Sequence, residues 1–137
     1  MNSDSSTFSI IDDIVIVEGG FGGCYALHQL RKGGYSVKLI EAASDFGGVS
    51  HFNKYPGARV DSETPLYQLS LPQAWHSFNF SERFPGHVEI RQYFSHIADA
   101  LDLRKDAVFG CRVIESKYDA ASRRWTLRTD NGLTANC

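Results

Sequence analysis

"IVIVEGGFGG", residues 14–23, is the stretch on which the reading of this chain turns. Ile14-Val15-Ile16-Val17 is a short β-branched run, the pattern of a parallel strand buried on both faces. Gly19, Gly20, Gly22 and Gly23 follow at once. Glycines clustered behind a buried strand let backbone approach a ligand or a neighbouring element closely. Ala26, Leu27 and Leu30 then recur at helical spacing, with Arg31-Lys32 in the last turn and Gly33-Gly34 as the stop. Ser36–Ile40 reads as a second strand, ending in Glu41. Such a βαβ unit of about thirty residues sets two parallel strands side by side across a helical crossover.

In a dinucleotide fold the first glycine permits the tight turn, the second admits the pyrophosphate and the third lets helix and strand pack closely. The helix N-terminus offers free N–H groups and a positive dipole end to the phosphates. One register fits here, with Glu18, Gly20 and Gly23 at the three positions. Starting at Gly19 puts Phe21 at the second, and starting at Gly20 puts Tyr25 at the third. Glu41 ends the second strand eighteen residues after Gly23, where an acidic side chain holds ribose hydroxyls in such folds. A second reading stays open: the glycines serve only close βα packing.

The 137 residues are enough for one domain with an ordinary core. Residues 1–11 read as a flexible, polar and acidic tail, and residues 12–137 as the domain. A net charge of −2 gives no electrostatic case for nucleic acid or an anionic membrane. Cys24, Cys111 and Cys137 form no CxxC pair, and the histidines show no HExxH or HxH spacing, so no metal site is expected. The N-terminus lacks the basic and apolar regions of a signal peptide, and no run approaches transmembrane length. A reducing cytoplasm is the expected location.

Between Phe46 and Pro85, glycine, proline and aromatic residues mix without a period, which predicts long ordered loops. Ile90, Tyr93, Phe94, Ile97 and Leu101 fall on one helical face. Val108-Phe109 and Arg112–Tyr118 read as strands. Ala120–Arg123 is a turn, Trp125-Leu127-Thr129 alternates, and Asn131-Gly132 signals a hairpin before Leu133–Asn136. The expected fold is three-layer α/β: a Rossmann-like parallel sheet with a C-terminal antiparallel meander over residues 112–136.

"GGFGGCYALHQLRKGGYSVKLIEAASDFGGVSHFNKYPGARVDSETPLYQLS", residues 19–70, resembles the FAD-binding start of the Baeyer–Villiger flavin monooxygenases. The likeness is to the cyclohexanone and phenylacetone monooxygenase group and its fungal relatives of secondary metabolism. Within it "NKYPGARVDSE" is far more specific than the glycine turn. "NFSERFPGHVEIRQYFSHIADALDLRKDAVF" and "CRVIESKYDAASRRWTLRTDNG" extend the resemblance from about Asp13 to the C-terminus.

The resemblance implies a flavoprotein site. Gly20, Phe21, Gly22 and Gly23 would form the phosphate turn, and Glu41 would hold the adenosine ribose. Val49, Ser50, His51 and Phe52 would pass by the pyrophosphate and flavin. Asp61 and Tyr67 would approach the flavin, and Arg59-Val60-Asp61 would also meet the nicotinamide cofactor. Val113 would touch adenine through its backbone. From the residues alone, Tyr67 as core and Arg59 with Asp61 as a surface ion pair are the readings that come first.

Three departures shape the expectation. Glu18 replaces the first glycine. Val49-Ser50-His51 replaces the Thr and Trp that usually follow the glycine pair. The chain ends before the strand that completes the family's FAD domain, without a second glycine motif for NADPH, the FxGxxxHxxxW fingerprint or the substrate-forming half. The reaction needs a hydride donor, an oxygen-reactive flavin and an enclosed carbonyl site. A truncated, FAD-site-derived segment is therefore expected: catalytically incomplete alone, with FAD binding weakened or lost and NADPH not held. Two alternatives stand beside it. One is a cofactor-independent isomerase or cyclase acting on a small organic molecule, with His51, Asp61, Tyr67 or Glu41 as acid or base. The other is an interaction module whose open sheet edge draws a second copy or another chain.

Overall fold

A short parallel sheet divides the apolar residues into two clusters. The computed structural model describes residues 8–137. Strands β2 (Ile14–Val17), β3 (Val37–Ile40) and β4 (Ala107–Val108) form this sheet in the order β2-β3-β4, all parallel. Ile14 lies opposite Val37 and Val17 opposite Ile40. Helix α1 (Phe21–Lys32) makes the crossover from β2 to β3. Side chains alternate across a strand, so Val37 and Leu39 enter the helix-side cluster while Ile40 and Val15 enter the other.

The helix side is filled by Cys24 and Leu27 of α1, Phe46, and Ile90, Tyr93, Phe94 and Ile97 of α4 (His87–Ala100). The expected apolar face of this helix is thus the buried one. Its rings meet Phe21 at the head of α1, with centroids 4.6 Å apart for Phe94 and 6.1 Å for Tyr93. The Tyr93 hydroxyl accepts the Leu69 N–H at 2.9 Å, fastening the loop above. At the far end, Arg31 donates to the Leu101 and Asp102 carbonyls at 2.5 and 2.6 Å and pairs with Asp106 at 3.0 Å. The tail of α1 is thereby tied to the carbonyl end of α4.

On the other side lie β5 (Val113–Asp119), β6 (Arg124–Thr129) and β7 (Thr134–Asn136), an antiparallel meander as expected. Strand β1 (Ser9–Ile11) adds to it in parallel, pairing Ile10 with Ala135. This corrects the flexible tail assigned to residues 1–11. Ile10 is buried in the second cluster, and its single apolar anchor justifies the strand. The rest of that tail, residues 1–7, lies outside the described residues. A second correction concerns β2: read as buried on both faces, it is only half-buried, with Val17 50% exposed. Its open edge among the described residues is the one expected, since β3 pairs with one side alone. The loop region holds two single-turn helices, α2 (Val49–Phe52) and α3 (Pro72–Trp75). Among the described residues no helix is long and apolar enough to cross a membrane, and no group of three or more His, Cys, Asp or Glu could hold a metal.

Candidate dinucleotide groove

The turn from β2 into α1 brings backbone against backbone. A Cβ on Gly23 would lie 1.9 Å from the Glu18 carbonyl oxygen, so only glycine lets the helix start this close to the strand. Gly48, at φ 51°, approaches Gly20 so closely that a Cβ there would stand 2.9 Å from the Gly20 Cα. The Gly47 N–H donates to the Gly19 carbonyl at 3.1 Å and holds the two glycine turns together. The first turn of α1 carries no acidic residue and no side-chain cap, leaving its N–H groups free as helix starts require. Glu18 stands just before it at φ 89°, the left-handed conformation expected of a first-position glycine.

Around this meeting point a cleft of about 290 Å³ is lined by Glu18, Gly20–Gly23, Gly47–Ser50, Tyr67 and Phe94. A second, of about 150 Å³, shares Val17 and Glu18 with it and runs past Glu41 and Phe52 to Cys111, Arg112 and Val113. A third, of about 360 Å³, shares Val49, Ser50 and Tyr67 with the first and reaches Asn53, Tyr55, Arg59, Val60, Asp61 and His87. Through these shared residues the three clefts adjoin in a row from Val113 to Asp61, together called the groove.

Nearly all the residues singled out from the sequence line this groove. His51 is the exception: it lies on α2 against Phe52 and lines none of the three clefts. The acid–base candidates are not assembled. Asp61 and Tyr67 share one cleft, whereas Glu41 lines another. Glu41 is buried at 1% exposure, and its carboxylate accepts the Gly19 N–H at 2.5 Å and the Ala43 N–H at 2.7 Å. It therefore braces the glycine turn from below, a role its strand-end position did not reveal. Arg59 does not pair with Asp61. Its guanidinium donates to Glu82 at 2.7 Å and to the Phe84 carbonyl at 2.8 Å. Tyr67 packs edge-on against Phe21, and burial, followed by the Asp61 charge, pushes its phenol up. Asn53, Tyr55, His87 and Arg112 also line it and escaped sequence reading, whereas the Gly47-Gly48 pair was legible as a double glycine marking close backbone approach.

The profile of the NAD(P)-binding Rossmann-like domain family matches residues 16–81. The FAD-binding monooxygenase acrE of Aspergillus aculeatus is 46% identical over 123 residues, covering 90% of this chain and 21% of the relative. Cyclopentanone 1,2-monooxygenase of Comamonas sp. is 47% identical over 118 residues, covering 85% and 21%. A steroid monooxygenase solved with NADP bound superposes with a TM-score of 0.88 at 42% identity, covering 92% of this chain and 24% of the other. Over most of its length the chain is similar to part of these FAD-binding and Baeyer–Villiger monooxygenases. It spans about a fifth of the length of the curated relatives it matches.

The groove can be tested against the cofactor in those relatives' names. The facing backbones of Gly20 and Gly48 leave a cradle that a Cβ would fill, and the uncapped start of α1 opens beside it. Both features suit a diphosphate. Glu18 alone disagrees.

Proposed function

We propose that this segment forms the adenosine, diphosphate and flavin-edge walls of an FAD site of the Baeyer–Villiger monooxygenase type. We propose further that on its own it holds FAD weakly and does not complete the reaction. The observation that carries the reading is the row of adjoining clefts running from Val113, past the Gly20–Gly48 meeting point, to Asp61. When bound, the flavin supplies the redox chemistry with oxygen. The residues of this chain bind and orient it. Val113 and Glu41 flank the adenosine end, and the α1 N–H groups face the phosphates. Tyr67, its phenol pushed up by burial, stays a hydroxyl at neutral pH and is a donor available to the cleft it shares with Asp61. The Arg59 guanidinium lines the same end, held there by Glu82 and the Phe84 carbonyl. The second half of the proposal rests on these residues carrying a single strand–glycine–helix turn.

Titration of the purified protein with FAD, followed by flavin fluorescence and the visible spectrum, tests the binding half. Weak saturable binding is expected, and its absence at millimolar FAD overturns it. NADPH oxidation with FAD and a cyclic ketone tests the other half. No turnover above the free-flavin background is expected, and enzymatic rates overturn it.

Association with a second copy is a further reading, favoured by one observation. The outer edge of β2 is unpaired among the described residues, and an apolar unpaired edge invites strand addition. Sedimentation at rising concentration checks this, and a monomer throughout rules it out.

A further inference from the structure

We infer that Glu18 is the residue that sets the ligand affinity of the groove, acting against a diphosphate by charge and bulk. The inference rests on the reading of the groove as a dinucleotide site. Among the residues lining the central cleft, Glu18 is the one charged side chain, and no Lys, Arg or His lies there. It also lines the neighbouring 150 Å³ cleft, so it stands on the wall between them. A diphosphate seated on the free N–H groups of α1 shares the cleft with this residue. Glu18 is exposed and enters no ion pair found among the described residues, and Arg112, which lines the neighbouring cleft with it, does not pair with it. Like charges within one cleft oppose binding, and salt screens them. The backbone conformation has a separate effect. At φ 89° Glu18 is strained whether or not a ligand is bound, so the strain lowers the stability of the fold and leaves affinity untouched.

Three variants separate these effects. Glu18→Gln removes the charge and keeps the bulk and the conformation. Glu18→Ala also removes most of the bulk. Glu18→Gly suits the conformation as well. FAD and ADP carry the diphosphate, and adenosine does not. For FAD and ADP, dissociation constants are expected to fall about tenfold in Glu18→Gln and up to about a hundredfold in Glu18→Gly. The gap between wild type and Glu18→Gln is expected to shrink in about 0.5 M salt. Adenosine affinity is expected to differ less than twofold between wild type and Glu18→Gln. The thermal midpoint is expected to rise by about 2 °C in Glu18→Gly and to hold within a degree in Glu18→Gln. Equal FAD affinity across wild type and variants overturns this inference and leaves the groove reading standing. So does a gain for adenosine as large as that for ADP. If no variant binds FAD or ADP while circular dichroism shows the native fold, the groove reading falls and this inference with it.

Discussion

The two faces of the parallel sheet are packed with different materials. The helix face is aromatic: Phe46, Tyr93 and Phe94 are buried there, with Phe21, Tyr67, Phe78, Phe80 and Phe109 packed around them. The meander face is built from Ile10, Ile40, Cys111, Leu127, Leu133 and Ala135, without a ring. The aromatic residues of the meander, Tyr118 and Trp125, stack on each other at 5.3 Å beyond the edge of that core, both nearly half exposed. Large rigid rings fix positions over longer distances than small aliphatic side chains do. The groove accordingly opens over the aromatic face, where Phe21, Tyr67 and Phe94 hold its floor. The meander contributes only the start of its first strand, at Val113.

Removing a ring from the aromatic face is the strongest way to break this contrast. Phe94→Ala deletes a fully buried ring beside Phe21, and a loss of about 4 kcal/mol in urea unfolding is expected. Gly23→Ala comes next. Its Cβ meets a backbone oxygen that cannot yield, so the α1 start must shift, at about 3 kcal/mol in the same assay.

A pH titration sharpens the contrast further. Burial, then the charges of Glu41 and Asp45, push the Cys24 thiol up to about 12 from an ordinary 9.0. The folded state favours the protonated form. The associated stability is therefore whole below pH 9 and drains away as pH rises towards 12. Between pH 8 and pH 10 the protein is expected to lose about 1 kcal/mol, a loss that Cys24→Ala abolishes. Tyr67 and Tyr93, both raised chiefly by burial, act in the same direction at higher pH. The smallest effect belongs to the meander. Trp125→Ala removes a half-exposed cross-strand pair with Tyr118, and about 0.5 kcal/mol is expected. A cost of the size given for Phe94 would show that the meander's outer face is as demanding as the helix face.

What could be read from the sequence follows the length over which a pattern repeats. The β2–α1–β3 unit and α4 were legible because apolar residues recur through several turns or strand steps. Strand β1 was not, since three residues with one buried side chain carry no period. Helices α2 and α3 are single turns of four residues, too short for a face to show. At the site, Glu18 was legible because its place in the glycine register demands a positive φ, and the structure has one. The inward turn of Glu41 was hidden, because it depends on where the Gly19 and Ala43 N–H groups lie in space. His87 was hidden too. It enters the groove because its N–H donates to the Ala58 carbonyl across a loop, and nothing in the intervening sequence marks that contact.

Arg31 clamps the last turn of α1 to the end of α4 through the Leu101 and Asp102 carbonyls and Asp106. The first turn has no polar clamp of this kind. Its place is set by shape: the Phe21 ring lies against Tyr67, Tyr93 and Phe94, and Gly23 sits hard against the Glu18 carbonyl. The helix is thus a beam bolted by charge at one end and wedged by rings at the other. Salt and pH act on the bolt, whereas only a change of side-chain volume loosens the wedge.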